Sequence, residues 1–576
     1  MRRGRSLALF ALPIVILAIP AAPSAAQTTS TIAGRVTDQQ GAPLPGVTVE
    51  AKGPALQGSR TAVTDGQGRY HLSLIPPGTY TVSFTLQGFS RETQKGVAVG
   101  LGKDTTLNVN LHISATAEMT VTSEAPVIDL TSTTLGTSLD SRAVTTLPTG
   151  RNYSSLAQVV PGVSTDANPD NSGQTTISVY GSSGAENAFY IDGVNTTGAE
   201  YGFQGKELNF EFIQAVDVKT GGYEAEYGRS TGGVVNVITK SGGNEFHGDV
   251  FAYFDSDKLQ RGAEPVVSNT TSAGFTRKDL GIGIGGFIMR DRLWFFGAYD
   301  RVDNTQDNTL PEGPRAGQVT RSESKRDLAS GKLTFKITES QSLIATFFQD
   351  PRDDTGAISD ANHSLNGDPL TTDGLKSFGG TDFALRYEGL FGSRVLLTLQ
   401  GARHKEKNNV GPATDAGDVI QYRDLQNDSY QTGGFGRIEQ KKFTRDMGTL
   451  SSTFFLGNHE AKAGFEYERE TAEVLKRMSG GQQVDVYVNP VHPAKPVYSH
   501  FYWSTPDSTV VSAPVSVLSA NPEHKVMTLY FQDRWNALSN LTVSFGIRWD
   551  RQEIVDAAGV TQIDLKNDFA PRFGFV

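Results

Sequence analysis

From residue 244 to the end of the sequence, apolar and polar side chains alternate along segments of about ten residues. In segment 541–550 every second residue is apolar, and the residues between them are Thr, Ser, Gly, Arg and Asp. Residues 382–388 and 462–468 alternate in the same way. Successive residues of a strand point to opposite faces of the sheet, so each segment predicts a strand with one apolar and one wet face. The apolar face would pack on a second sheet in a soluble sandwich or meet lipid in a transmembrane barrel.

The links between these segments favour the barrel. Short links alternate with long ones, as in an up-and-down outer-membrane barrel with short periplasmic turns and long extracellular loops. The short links are 289–292, 338–341, 390–393, 457–459 and 537–540. The long links are 255–279, 302–327, 350–378, 405–442, 471–524 and 553–567. The alternation requires 431–440 to lie inside a long loop, and it then predicts about twelve strands.

Two further observations support the barrel over the sandwich. The polar faces carry charges of both signs, as the wall of a wet, filled lumen would. Trp294, Trp535 and Trp549 fall near predicted strand ends, where aromatic girdles form at the two membrane interfaces.

The N-terminus predicts export. Arg2, Arg3 and Arg5 precede an apolar run at 7–19 and small residues at 24–26, which is typical of a signal peptide spanning 1–26. The run is shorter than the roughly 20 residues that a membrane-spanning helix needs, although an uncleaved N-terminal anchor is an alternative. The chain has no cysteine, which excludes disulfides and lipid attachment through cysteine. A net charge of −10 without a basic patch argues against nucleic acid as a partner.

Residues 29–113 predict a small β-sandwich, because short alternating strands are separated by Gly, Pro and Asp turns about every ten residues. This region resembles the carboxypeptidase-regulatory-like domain, which has a transthyretin-like fold. None of the nine His residues is followed three positions later by Glu, so the local signature of a zinc carboxypeptidase is missing. We therefore expect no enzyme activity, no catalytic residues and no metal site.

Residues 126–243 resemble the plug domain of TonB-dependent outer-membrane receptors. The likeness is carried by Glu226-Tyr-Gly-Arg229 and by 232–240, which run into the first barrel strand, and by 177–194, which resemble the central hairpin of the plug. Asp192-Gly193 suits the tight turn of that hairpin, because both residues tolerate the left-handed conformation. The resemblance implies that Glu226 and Arg229 pair with charges on the barrel wall. A free surface pair is the alternative.

Residues 114–125 look like a linker with one β-prone island, formed by Met119, Thr120, Val121, Thr122 and Ser123. The island lies where the resembled family keeps its TonB box, which binds TonB by adding a strand to the edge of its sheet. Strand addition uses backbone hydrogen bonds and depends little on side chains, so a plain linker is an equal alternative.

Two local motifs predict no site. Residues 281–286 match G-x-G-x-x-G, but a strand rather than a helix follows, so we expect no nucleotide cofactor. The acidic run 350–354 lacks EF-hand spacing and predicts a solvated loop rather than a calcium site.

Together these patterns predict a mainly β chain: a transthyretin-like sandwich, an α+β plug, and the transmembrane antiparallel β-barrel at 244–576. Because plugged transporters have about 22 strands, about twelve strands predict a C-terminally truncated barrel. The resemblance implies import of a large ligand (oligosaccharide, siderophore or peptide) across the outer membrane without a cofactor. TonB would supply energy from the inner membrane, and a substrate-binding surface lipoprotein is a further expected partner. The alternative is a structural or adhesive outer-membrane protein that imports no ligand.

Overall fold

A computed structural model describes most of the chain. The described residues are 29–101, 104–113, 119–121, 133–166, 176–260, 271–310, 314–359, 363–489, 491, 495–501, 503–504, 514–515, 517–538 and 540–576. The predicted signal peptide lies outside them. Among these residues, no helix is long and apolar enough to cross a membrane.

The N-terminal region is a two-sheet sandwich, as predicted. Its strands are β1 (Ser30–Thr37), β2 (Thr48–Lys52), β3 (Ser59–Val63), β4 (Arg69–Ile75), β5 (Gly78–Thr85), β6 (Glu92–Val99), β7 (Asp104–Thr106), β8 (Val109–Asn110) and β9 (Met119–Val121). One sheet has the order β4-β1-β7 with β8 also paired to β1, and the other has the order β3-β2-β5-β6-β9. Alternate side chains of both sheets form a closed apolar core that includes Ile32, Val49 and Phe84.

The second region is a mixed sheet with short helices against it. Its elements are β10 (Leu135–Asp140), α1 (Ser141–Thr146), α2 (Tyr153–Ala157), β11 (Val163–Thr165), β12 (Ile177–Val179), β13 (Ala188–Ile191), β14 (Val194–Asn195), β15 (Ile213–Gly221) and β16 (Val234–Thr239). Asp140 caps α1, because its side chain accepts a hydrogen bond from the backbone N–H of Ala143 at 2.9 Å. The five-stranded sheet has the order β10-β15-β16-β13-β14, and its apolar side packs on Leu156 and Phe212.

The predicted tight turn between β13 and β14 is confirmed. Ile191 pairs with Val194, so the hairpin loop has two residues. Asp192 has φ 47° and Gly193 has φ 77°, both in the left-handed region that a type I′ turn requires.

The third region is one large antiparallel sheet that curves around the second. The strands on its main path are β17 (His247–Ser256), β18 (Thr271–Met289), β19 (Leu293–Thr309), β20 (Val319–Thr338), β21 (Gln341–Gln349), β24 (Thr381–Phe391), β25 (Val395–Pro412), β28 (Arg437–Leu456), β29 (His459–Met478), β35 (Glu523–Leu538), β36 (Leu541–Val555) and β37 (Thr561–Phe575). These are the expected twelve strands of a partial barrel, and each pairs with the next along this path.

The remaining elements lie at the ends of the long strands. They are β22 (Arg352–Ala357), β23 (Asp373–Gly379), β26 (Gln421–Asp424), β27 (Tyr430–Gly433), β30 (Gln483–Tyr487), β31 (Val497–Phe501), β32 (Trp503–Ser504), β33 (Pro514–Val515), β34 (Val517–Ala520) and α3 (Pro369–Thr372). Single 3-10 turns occur at Gly184–Glu186, Phe210–Phe212, Asp257–Leu259, Asp415–Asp418 and Ser479–Gly481.

The alternation of faces follows the prediction. Phe545 and Ile547 are 44% and 47% exposed on the outside of the sheet. Arg548 and Asp550 lie on the inside, where Arg548 is 2% exposed. In β24, Leu385 points outward and Arg386 inward in the same way. The outer face therefore offers an apolar band to lipid, and the inner face is charged.

The predicted long links are wrong in extent. Much of each link continues as paired strand: β19 runs to Thr309, β25 to Pro412 and β29 to Met478. Residues 437–440, which the sequence placed in a loop, begin β28. These strand ends carry charged and polar side chains on both faces, so the apolar alternation that marks a lipid-facing strand stops before the hydrogen-bonded strand does.

Trp294 also departs from the prediction. It is 1% exposed and points inward, where its indole N–H donates a hydrogen bond to the Asn244 side-chain oxygen at 2.8 Å. It therefore belongs to no outward girdle. Trp535 is 40% exposed and stacks on His459 beside a short turn, as expected of an interface aromatic.

The strand ends opposite the short turns carry a folded loop cluster. Strands β27, β26, β30 and β31 form a separate four-stranded sheet in that order. Beneath it, Ile358, Ala416, Phe435 and Ile438 form a small buried apolar cluster. The long loops of this side are thus packed against one another.

Candidate functional site: the contact between plug and barrel

The segment between β15 and β16 brings two charged residues of the second region to the barrel wall. Arg229 has φ 54° and donates two hydrogen bonds to the Glu468 carboxylate of β29, at 2.8 and 2.7 Å. The Glu226 carboxylate accepts a hydrogen bond from Lys462 Nζ, also of β29, at 2.6 Å. Both residues that the sequence singled out therefore pair with charges of the barrel wall. Their partners, Glu468 and Lys462, were not predicted from the sequence.

Gly228, between these two residues, lets the side chain of Arg548 approach the backbone closely. A Cβ atom there would lie 2.1 Å from Nε of Arg548 on β36. The Arg548 guanidinium donates to the backbone oxygen of Glu226 at 3.0 Å, to the Asp550 carboxylate at 2.7 Å and to the Glu466 carboxylate at 3.1 Å. Glu-x-Gly-Arg therefore combines two side-chain contacts with one backbone contact to the wall.

A second contact is centred on Lys206 and was not predicted. Lys206 is fully buried, and its Nζ donates to Asp350 Oδ1 of the barrel at 2.7 Å and lies 3.3 Å from Asp382 Oδ2. Burial opposes the ammonium form, but the two carboxylates outweigh it and raise the pKa of Lys206. Asp382 also contacts His404 Nδ1 at 2.6 Å. The acidic run at 350 thus begins with a buried ion pair, and the predicted solvated loop is wrong for Asp350.

The tip of the β13–β14 hairpin forms a third contact. The Asp192 carboxylate lies 3.1 Å from Lys332 Nζ of β20, and its backbone oxygen accepts hydrogen bonds from Arg386 and Gln400. The turn that the sequence predicted from backbone conformation therefore also presents a charge to the wall.

A large cavity lies beside this hairpin. Its volume is about 1420 Å³, and its lining comes from the sandwich (Arg60), the second region (Asp192, Gln214) and the barrel (Lys332, Glu388). The sandwich also contacts a short turn of the barrel, where Arg69 donates to the side chain of Asn458 at 2.6 Å.

The proposed TonB-box residues are only partly described. Met119–Val121 form β9, which pairs in parallel with β6 of the sandwich, Glu92 facing Met119 and Gln94 facing Val121. Thr122 and Ser123 lie outside the described residues. Among the described residues, no group of three or more His, Asp or Glu side chains is placed to hold a metal ion.

This arrangement defines a class of protein: an outer-membrane β-barrel whose lumen is filled by a separately folded plug held by ion pairs. Three family matches cover the three regions: the carboxypeptidase regulatory-like domain at 31–112, the TonB-dependent receptor plug domain at 131–235, and the outer membrane β-barrel domain at 238–319 and 315–563. The chain belongs to the TonB-dependent outer-membrane receptors that carry an N-terminal carboxypeptidase-regulatory-like domain. Below, the three regions are called the regulatory-like domain, the plug and the barrel.

Relatives and solved structures agree with this assignment. The TonB-dependent transporter Oar of Myxococcus xanthus is 28% identical, over 95% of this chain and 60% of that protein. The probable TonB-dependent siderophore receptor PirA of Acinetobacter baumannii is 24% identical, over 56% of this chain and 41% of that protein. The chain therefore spans less than two thirds of the length of either relative. The outer membrane transporter YddB of Escherichia coli shares the fold, with a TM-score of 0.54 and 16% identity over 76% of this chain and 58% of that chain.

Proposed function

We propose that this receptor imports a large ligand (an oligosaccharide, a siderophore or a peptide) across the outer membrane with energy delivered by TonB. The observation that carries the proposal is the kind of contact that holds the plug. Arg229, Glu226 and Lys206 attach it to the wall through ion pairs at discrete points. Such contacts can be broken and remade as units, which suits a plug that must move and return.

The names of the relatives support the proposal of TonB-dependent import. One relative is called a transporter and the other a siderophore receptor, both TonB-dependent. We further propose the domain division 1–26 signal peptide, 29–113 regulatory-like domain, 114–125 linker, 126–243 plug and 244–576 barrel. We also propose a surface lipoprotein as a partner, which would bind substrate and deliver it to the long loops of the barrel.

Within this scheme, Met119–Ser123 is the TonB box. It lies between the regulatory-like domain and the plug, so a pull on it reaches the plug through the chain. Val121→Pro should abolish TonB-dependent uptake while leaving ligand binding intact, because proline removes a backbone donor that strand addition uses. Val121→Thr keeps that donor and is the matched control, expected to import at close to the wild-type rate.

The measurement is accumulation of labelled ferric siderophores, oligosaccharides and peptides in cells with and without TonB. The wild-type receptor should accumulate one of these classes only when TonB is present. If it accumulates none in a TonB-dependent way, the adhesive alternative replaces import. If import is TonB-dependent but Val121→Pro does not reduce it, the box lies elsewhere in the chain.

A further inference from the structure

The regulatory-like domain has a sheet edge that holds a segment from outside its sandwich core. Among the described residues, β6 pairs with β5 on one side and with β9, the last strand of that sheet, on the other. The register is Glu92 with Met119, Thr93 with Thr120 and Gln94 with Val121. An edge strand offers unpaired N–H and C=O groups, which an extended segment of any sequence can complete. The edge of β6 is therefore a strand-addition site, occupied by the chain itself.

The route of the chain favours this occupancy. Ile113 forms an antiparallel bridge with Phe89, and the N–H of Ser90 donates to the backbone oxygen of His112 at 2.8 Å. The chain thus leaves the sandwich beside the start of β6, and only residues 114–118 separate Ile113 from β9. A tether of this length keeps the local concentration of the segment in the millimolar range, so even a weak pairing is populated.

The pairing of β9 with β6 is short enough to be reversible. It covers three residues on each strand, and it is parallel, the slightly less stable arrangement per residue. A partner that offers a longer ladder of backbone hydrogen bonds can take the segment away.

We propose that the edge of β6 is a docking site for the chain's own segment Met119–Val121, and that TonB must displace this segment from β6 before it can act on the plug. The proposal rests on the proposed function of Met119–Ser123 as TonB box. It gives the regulatory-like domain a role: it competes with TonB for the same backbone, which keeps an idle receptor disengaged.

The chain has no native cysteine, so a single introduced pair tests the contact. Neighbouring strands lie about 4.8 Å apart, within the spacing that a disulfide can bridge. The Thr93→Cys/Thr120→Cys double variant should form a disulfide under mild oxidation. The control is Thr61→Cys/Thr120→Cys, because Thr61 is exposed on β3 at the opposite edge of the same sheet, and it should not form one. If the first pair stays reduced, or both pairs form disulfides equally, the docking site is overturned.

The second measurement is binding of the purified periplasmic domain of TonB to the same double variant, oxidised and reduced. We expect the oxidised receptor to bind at least about tenfold more weakly, with full recovery on reduction. Equal binding by the fully oxidised and the reduced receptor would overturn the competition while the proposed coupling to TonB stands. If the reduced receptor fails to bind TonB at all, the proposed coupling itself is overturned.

Discussion

The plug and the regulatory-like domain are both small β-units with apolar cores, yet they are attached to the barrel by different interactions. The plug is held by buried charges, among them Lys206 and Arg229, whose partners are carboxylates of the wall. The regulatory-like domain contacts the barrel through neutral partners: Arg69 donates to the side chain of Asn458 at 2.6 Å, and His71 stacks on Phe455 with ring centroids 5.6 Å apart. Two further hydrogen bonds join it to the plug. Gln57 donates to the oxygen of Gly242 at 3.4 Å, and Gln214 of the plug donates to the oxygen of Pro77 at 3.2 Å.

The two kinds of contact resist movement differently. A buried ion pair cannot lose one partner without leaving an uncompensated charge, so it separates all at once or remains. A single hydrogen bond near the surface exchanges with water at little net cost. The plug should therefore respond to force in discrete steps, and the regulatory-like domain should shift more freely.

Lys206→Met gives the largest expected effect. It leaves Asp350 buried without its cation and Asp382 with His404 as its remaining partner, which should weaken the seating of the plug by about 3–5 kcal/mol. Hydrogen exchange of plug amides in the detergent-solubilised receptor measures this as lost protection. Lys258→Met, at an exposed position, is the control and should change nothing. Unchanged protection in Lys206→Met would remove the basis of the comparison.

Arg229→Lys should have an intermediate effect. Lysine keeps the charge but replaces the two parallel hydrogen bonds to Glu468 by one, for a loss of about 1.5–3 kcal/mol. The same exchange experiment should show partial loss of protection in the segment between β15 and β16. A loss as large as that in Lys206→Met would mean that charge alone does not hold this contact.

Glu224 of the plug makes the attachment pH-dependent. Burial opposes its ionisation, but Lys219 and Arg534 outweigh burial and lower the pKa of Glu224 below 4.5. A carboxyl with a lowered folded-state pKa stabilises at pH values above its unfolded value and loses that contribution as the pH falls through the folded value. Protection of the plug should therefore fall below about pH 4.5, and Glu224→Gln should show a shallower fall. Identical pH profiles would assign the fall to other carboxyls.

Arg69→Ala gives the smallest expected effect. It removes one hydrogen bond between the regulatory-like domain and the turn at Asn458, for a change within about 0.5 kcal/mol. Exchange at residues 457–459 and thermal melting should both stay close to wild type. If this variant freed the domain as strongly as Lys206→Met frees the plug, the two attachments would not differ in kind.

The sequence predicted local features better than distant contacts. The Asp192-Gly193 turn follows from the backbone conformations that these two residues tolerate. The outward position of Phe545 follows from the two-residue period of a strand. Both signals lie within a few consecutive residues, so the sequence shows them directly. Lys206 and Asp350 are 144 residues apart, and nothing near either residue marks it as buried. Residues 437–440 were misplaced because strands outside lipid do not need an apolar face.

The packed loop cluster bears on how the outer surface of this receptor can diversify. Tyr422 and Tyr498 are 41% and 53% exposed on that cluster, so substitutions there change the surface of the cluster without disturbing the fold. Phe435 is fully buried between Gly433 and Gly436, whose φ values of 81° and 91° exclude most other residues. Substitutions that the fold tolerates in this region should therefore fall at exposed single positions, because replacement of a whole loop would dismantle the cluster.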